Sequence, residues 1–224
     1  MRPTSASERE HQYRFLASLY LRPPSESLLG MIRDGSIVPA FAGGPGEEGP
    51  ADLREFLAET PGLPGLEEEL AAEHAALFVL PSGVIPHEAF YLDPDKRLGG
   101  KVTIAVERFY GGAGLSLLDH CIEMPDHLGL ELEFMAALCR LEGELEETRD
   151  AAALPRCVEF QRTFLEEHLS RWAPECCENV IRHARRGWYR AIAHFTLAFL
   201  RSERAHLGGR HAEGARLCEP VQST

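Results

Sequence analysis

Apolar side chains recur at three- and four-residue steps along most of the 224-residue sequence, and strict alternation of apolar and polar residues is rare. This spacing places the apolar residues on one side of a helix, and it matches half-buried strands poorly. The clearest helical segments are residues 66–80, 102–110, 126–147, 158–169, 175–186 and 188–204. Prolines are expected to end two helices, at Pro23-Pro24 and at Pro174. We therefore expect an all-α protein that folds as a single compact helical bundle.

The helical pattern is interrupted from Pro81 to Gly100, where proline, glycine and aspartate surround a few aromatic residues. We expect a long loop here, between the N- and C-terminal helical parts. A loop of this length in a compact domain is usually functional or mobile. The chain length fits one domain over residues 1–224, with a possible division into two lobes near residues 111–124. A monomer and a homodimer that swaps helices about that segment both stay open, and the polar tail 208–224 is expected to fray.

The chain is acidic, with a formal net charge of −12 and an isoelectric point near 5.3. An acidic chain is a poor general binder of nucleic acid and a good binder of basic partners. The strongest basic run, Arg182 to Arg190, is expected to be a solvated helix face that pairs with acidic residues. Because the N-terminus has no apolar signal segment and no apolar run is long enough to cross a bilayer, we expect a cytoplasmic protein without stable membrane insertion.

The six cysteines do not form a recognisable metal or disulfide framework. They stand at positions 121, 139, 157, 176, 177 and 218, and no two of them have the spacing of a zinc knuckle. In a cytoplasmic chain we expect reduced thiols, most of them buried.

The junction from Glu123 to His127 is the first candidate site, because an acid, a proline and an Asp-His pair stand where a loop becomes a helix. Pro125 limits the entry angle of the chain, and Asp126 is expected to be the N-cap of that helix. His127 would lie in the first turn, where the positive end of the helix favours the neutral imidazole. A neutral ring can donate and accept hydrogen bonds, which suits the binding of a peptide.

Chemistry other than binding has weaker support at this junction. A catalytic Asp126-His127 pair would need a nucleophile such as Ser116 or Cys121, and adjacent residues at a helix start rarely face each other. A metal site is chemically possible, and the alternative function is a small metal-binding protein or metalloenzyme that uses His120, Cys121 and His127. No motif fixes that geometry, so we expect no catalytic residue, no resident metal and no cofactor.

The segment from His87 to Asp95 is the second candidate site. Phe90 and Tyr91 stand beside Glu88, and aromatic side chains next to carboxylates suit a surface that grips an arginine-bearing peptide. The same two aromatic residues could instead pack this segment onto the bundle. The sequence leaves both interpretations open.

Several of these segments together resemble the TorD/DmsD family of redox-enzyme maturation chaperones. The resemblance rests on Glu123-Met124-Pro125-Asp126-His127 and on the Leu-Gly-Leu-Glu-Leu-Glu-Phe-Met segment that follows it. It extends from about residue 8 to residue 204, through the 77–95 segment before the signature and the aromatic residues of the last helices, among them Phe164, Trp172, Trp188 and Tyr189.

The resemblance implies a chaperone and not an enzyme. Members of this family bind the twin-arginine signal peptide and the apo-form of a molybdopterin-dependent oxidoreductase, and they hold this client until the cofactor is inserted and export can follow. Carried over to this sequence, the signal-peptide site would be formed by Glu123, Pro125, Asp126 and His127, with Glu88, Phe90 and Tyr91 close by.

Overall fold

The computed structural model describes residues 5–41, 48–60, 65–118 and 121–217. Within these ranges the chain forms helices and no strand, which confirms the all-α prediction. The α-helices are α1 Ala6–Leu21, α2 Glu26–Arg33, α3 Val38–Phe41, α4 Glu48–Glu59, α5 Leu66–His74, α6 Glu88–Leu92, α7 Lys101–Gly112, α8 Leu128–Thr148, α9 Leu154–Phe164, α10 Ser170–His183 and α11 Gly187–Leu217. Two π-helical turns, Ala75–Val79 and Leu165–Leu169, follow α5 and α9 directly.

Helices α1 and α8 form the most extensive helix pair of the fold. α1 begins with a capping box in which Ser5 and Glu8 bond to each other's backbone N–H, and it buries Tyr13, Leu16 and Tyr20. The first turn of α8 comes so close to α1 that a Cβ at position 129 would overlap Leu21, and only glycine fits there. This close approach fixes the start of α8 against the N-terminal helix.

The C-terminal helices complete the bundle. α11 packs against α4 and α10, and its first residue, Gly187, lies where a Cβ would stand 2.5 Å from the carbonyl oxygen of Asp52. Trp172 of α10 and Trp188 of α11 are fully buried. The core therefore runs between the N-terminal and C-terminal helices, as expected for one compact bundle.

A buried ion cluster ties four helices together. Arg9 of α1 donates to both oxygens of Glu203 of α11 at 3.0 and 2.9 Å, and to Glu142 of α8 at 2.8 Å. Its remaining nitrogen donates to Gln161 of α9, whose amide in turn donates to Glu142 at 2.7 Å. We call Arg9, Glu142, Gln161 and Glu203 the Arg9 cluster. Burial alone would raise the pKa of Glu142, but Arg9, Gln161 and Arg210 outweigh burial and lower it.

Two elements differ from the sequence prediction. The 81–100 segment contains a helical turn, α6, instead of being loop throughout. The helix expected to end near Pro174 is continued by α10, which contains Pro174 in its interior. Helix α11 extends through Leu217, and its Arg210 pairs with Glu142 and with Glu146, while fraying of the tail from residue 208 stays a prediction. Residues 218–224 lie outside the described ranges.

Two further sequence expectations agree with the described residues. Cys139, Cys157, Cys176 and Cys177 are buried free thiols, and Cys121 is a free thiol as well. None of the described helices combines the length and the apolar character that crossing a membrane requires. The division into two lobes and the domain swap about residues 111–124 stay predictions.

Candidate functional site

The two candidate segments of the sequence lie against each other. His87 and His127 form an isolated antiparallel bridge, in which Glu88 N–H donates to the Asp126 carbonyl at 2.9 Å and Leu128 N–H donates to the Pro86 carbonyl at 2.8 Å. The Tyr110 hydroxyl of α7 donates to the Pro125 carbonyl at 2.8 Å. The start of α8 is therefore held from two sides, by the 86–88 segment and by α7.

Asp126 is not the N-cap of α8, so the sequence prediction was wrong on this point. Its side chain is fully buried and accepts a hydrogen bond at 3.0 Å from the backbone N–H of Ala89, in the first turn of α6. Asp126 thus caps the short helix of the neighbouring segment. Burial would raise the pKa of Asp126, but this hydrogen bond and the adjacent His87 outweigh burial and lower it. The carboxylate stays ionised in the interior.

His127 takes the capping role. Its Nδ1 accepts a hydrogen bond at 3.0 Å from the backbone N–H of Gly129, so the proton of the neutral ring is on Nε2. Burial, and then the positive charge that His87 can carry, lower the pKa of His127 to about 3. The neutral imidazole was expected from the sequence, although burial and not the helix end alone is the main cause.

Glu88 is buried as well, and it accepts a hydrogen bond at 2.9 Å from Nδ1 of His168. Below it, Glu131 of α8 is fully buried and accepts a hydrogen bond at 3.1 Å from Nε1 of Trp172. Burial, and then the charge of Glu88, raise the pKa of Glu131 well above its ordinary value. The expected surface carboxylate at position 88 is therefore an interior one.

Sequence reasoning missed Glu131, His168 and Trp172 as members of this site. Glu131 carried a signal that could have found it: it lies three residues after Leu128 and one before Leu132, on the apolar face of α8. A carboxyl group in the middle of an apolar helix face needs a buried partner. His168, in the π-helical turn before α10, and Trp172, in α10, carried no comparable signal, because only the tertiary fold brings them next to Glu88 and Glu131.

Three side-chain atoms of this region are buried without a hydrogen-bond partner: Nδ1 of His87, Oδ1 of Asp126 and Oε1 of Glu131. The first two face each other at 3.5 Å, which is longer than a normal hydrogen bond, so they interact only electrostatically. We call His87, Glu88, Asp126, His127 and Glu131 the signature cluster. Unpaired buried polar atoms are unusual in native proteins and often mark a functional position.

The two aromatic residues of the second segment contact each other, with ring centroids 5.2 Å apart, and each also has a partner of its own. Tyr91 is stacked on Trp172 with ring centroids 5.5 Å apart, and its hydroxyl lies 3.4 Å from the Asn179 amide. Phe90 is half-buried, and the Lys96 ammonium lies 4.3 Å from its ring centroid. Of the two interpretations that the sequence left open, packing onto the bundle describes Tyr91.

The exposed part of the site is the chain just before the signature cluster. Ile122 is 94% exposed and Leu118 is 67% exposed, both unusual for large apolar side chains, and the exposed Glu123 follows Ile122. We call Leu118, Ile122 and Glu123 the outer edge. Pro125 is half-buried. A pocket of about 150 Å³ lies between α7, the segment after it and α8, with apolar walls that include Leu115, Leu130 and Phe134 and with Glu133 at its rim.

The geometry also bears on the catalytic pair and the metal site that the sequence analysis considered. Asp126 and His127 serve different backbone partners, as expected for a pair that is not catalytic. Of the proposed metal ligands, His120 lies outside the described residues and Cys121 makes a long contact with the Glu123 carbonyl. Among the described residues, a ring nitrogen of His127 groups instead with one of His87 and with a carboxylate oxygen of Glu123.

The basic run of α10 and α11 pairs with acidic residues, as the sequence predicted. Arg186 forms ion pairs with Glu69 and Glu59, and Arg190 donates to Asp52 at 3.0 Å. These pairs join the run to α4 and α5.

Comparison with known proteins assigns the family. A family model described as nitrate reductase delta subunit matches residues 47–178, which include the signature cluster. The chain belongs to the nitrate reductase delta subunit family. This finding confirms the resemblance to TorD-type maturation chaperones.

Two relatives of this chain are named as chaperones. The chain is 26% identical over 204 residues to the chaperone protein TorD of Vibrio cholerae, which covers 88% of this chain and 90% of the relative. It is 36% identical over 111 residues to the selenate reductase assembly chaperone protein of Thauera selenatis, which covers 48% of this chain and 55% of the relative. These names agree with the expectation that the chain is not an enzyme.

Among solved structures, a protein described as a redox enzyme maturation protein from Archaeoglobus fulgidus is similar over 89% of this chain and 93% of its own. The identity is 21% and the TM-score is 0.44. This likeness is too distant to support any statement about the site.

Proposed function

We propose that this protein is a cytoplasmic chaperone that binds the twin-arginine leader and the apo-form of a molybdopterin-dependent oxidoreductase, and that it assists cofactor insertion before export. The family and the names of the relatives support the chaperone role. The observation that carries the leader-binding proposal is the outer edge, where the exposed Ile122 directly precedes the exposed Glu123 and the exposed Leu118 lies shortly before them in the chain.

The outer edge has the chemistry that a leader needs. A twin-arginine leader presents guanidinium groups followed by an apolar segment. Glu123 can accept two parallel hydrogen bonds from one guanidinium, while Ile122 and Leu118 offer apolar contact. The acidic chain attracts the basic peptide at long range.

The signature cluster has a supporting role in this proposal. Asp126, His127 and Glu88 are buried, so we no longer assign them direct contact with the peptide, although the sequence suggested it. They hold the base of the outer edge: Asp126 is bonded to α6, and His127 caps α8. A rigid support lowers the entropy lost when the peptide binds.

Titration of a fluorescent twin-arginine leader peptide tests this proposal. We expect Glu123→Gln to weaken binding about tenfold, which corresponds to roughly 1.4 kcal/mol for one charge-assisted contact. Ile122→Ser should weaken it by a similar factor through the loss of apolar contact. A peptide with two lysines in place of the arginines should bind less well, because lysine cannot form the bidentate contact.

Glu178→Gln is the matched control, since it removes one exposed carboxylate from α10, away from the outer edge in the chain. Equal affinity of the wild type and both outer-edge variants would contradict the assigned site. Failure of the wild type to bind any twin-arginine leader would contradict the proposed function itself.

A further inference from the structure

The bridge between His87 and His127 brings together three groups that commonly bind metal ions. A ring nitrogen of each histidine and a carboxylate oxygen of Glu123 all lie within 4.8 Å of one another. His87 is 8% exposed and His127 is 4% exposed, whereas Glu123 is exposed. Two of the three groups therefore lie in the protein interior, and the third, Glu123, is accessible to solvent.

We propose that His87, His127 and Glu123 form a binding site for one divalent transition-metal ion of the Zn²⁺ type. Two imidazole nitrogens and one carboxylate are a donor set that suits zinc, and three protein ligands leave a fourth position open. Calcium and magnesium are disfavoured because they prefer sites made of oxygen ligands. This site shares His127 with the one suggested by the sequence, but has His87 and Glu123 in place of His120 and Cys121.

Asp126 provides an independent observation in support of the site. Its Oδ1 has no hydrogen-bond partner and lies 3.5 Å from Nδ1 of His87, which has none either. A carboxylate behind a histidine ligand orients the ring and makes its other nitrogen a better donor. Coordination through Nε2 of His87 would place the proton on Nδ1, facing Asp126. The two unpaired atoms thus have the arrangement found behind metal-bound histidines.

Metal binding requires two small rearrangements. Ligand atoms around a tetrahedral zinc ion are about 3.3 Å apart, given bond lengths near 2 Å, so the three groups must draw together. Glu123 is exposed and can move by a change of rotamer. His127 must give up its hydrogen bond from Gly129 N–H, because coordination either uses Nδ1 itself or moves the proton there. That change provides a specific spectroscopic signal.

Zinc titration of the full chain, stripped with a chelator, tests the site by calorimetry. We expect one zinc ion per chain in the wild type and at least a tenfold loss of affinity in Glu123→Gln. Because Glu123 is exposed, this variant should fold normally even where His87→Gln does not. Cobalt should give a spectrum without the intense thiolate band, and zinc should shift the amide resonance of Gly129.

Cys121→Ser separates the proposed site from a thiol site and should leave zinc affinity unchanged. The proposal is overturned by the absence of saturable zinc binding, by binding that survives both His87→Gln and Glu123→Gln, or by binding that Cys121→Ser abolishes. The leader titration is carried out in EDTA, so a result there bears on the proposed function and a result with zinc bears only on the metal site.

Discussion

Two buried polar clusters of this protein differ in how completely their charges and hydrogen-bonding atoms are paired. In the Arg9 cluster, one guanidinium pairs with two carboxylates, Arg210 adds a second cation beside Glu142, and none of the four side chains contains a buried unpaired atom. In the signature cluster, three acidic side chains and two histidines meet without a lysine or arginine among them, and three of their atoms are unpaired. The fully paired Arg9 cluster has the properties of a purely structural contact between helices. The signature cluster has unpaired atoms and therefore retains capacity for further hydrogen bonds.

The largest effect that separates the two clusters is expected from Arg9→Met. The substitution leaves Glu203 buried beside no guanidinium and removes one of the partners of Glu142. Breaking a buried ion cluster on one side costs roughly 3–5 kcal/mol in the free energy of unfolding. Urea denaturation of the variant and the wild type measures this loss of stability.

Arg14→Met is the control for this variant, because Arg14 is an exposed residue of the same helix whose pair with Glu10 is worth less than about 1 kcal/mol. If the two variants lost similar free energies of unfolding, the buried Arg9 cluster would contribute no more to stability than an exposed surface ion pair.

The two buried glutamates of α8 should respond oppositely to pH. The pKa of Glu131 is raised, so the native state binds more protons than the unfolded state above pH 4.5, and this carboxyl costs stability as the pH rises. Glu131→Gln should therefore be at least as stable as the wild type at pH 8. Its advantage, on the order of 1 kcal/mol, should shrink towards pH 5.

Glu142→Gln is the matched comparison. The pKa of Glu142 is lowered, so its stabilisation is present above the unfolded pKa and is lost as the pH falls through the folded pKa. This variant should be less stable than the wild type at pH 8, with a loss that decreases in acid. Thermal unfolding of both variants at pH 5 and pH 8 measures these changes in stability. If Glu131→Gln lost as much stability at pH 8 as Glu142→Gln, the two glutamates would not respond oppositely to pH.

Tyr91→Phe should have the smallest effect. The Tyr91 hydroxyl has a long contact with Asn179, while the ring stacks on Trp172 and is kept in the variant. We expect a loss of about 0.5 kcal/mol or less in stability and less than a twofold change in leader affinity. A large loss of leader binding at normal stability would assign Tyr91 to the peptide site, as the sequence alone had suggested.

The sequence predicted the parts of this fold that depend on local patterns. Apolar periodicity located α7 and α8, and the basic run of α10 and α11 was correctly expected to pair with acids. It could not predict that α10 would continue through Pro174, because proline usually ends a helix and no local pattern marks the exception. It also could not predict that Arg210 would pair with Glu142, since that partner belongs to a helix distant in the chain.

In the candidate site, the two segments singled out in the sequence do lie against each other, but several of their side chains make contacts that the sequence did not predict. Local reasoning made Asp126 the cap of the helix that follows it, yet its hydrogen-bond partner is Ala89, which is distant in the chain. Glu88 was expected at the surface because it stands in a polar segment, and its partner His168 comes from the C-terminal half. Long-range pairings of this kind leave no periodic pattern in a sequence.

Hydrogen–deuterium exchange with and without a twin-arginine leader peptide tests the central claim most directly. The account predicts that the leader slows exchange in fragments that contain residues 121–127, while fragments around Arg9, Gln161 and Glu203 exchange at unchanged rates. Protection confined to the α4–α11 face, with none at 121–127, would contradict the assignment of the outer edge as the leader-binding surface.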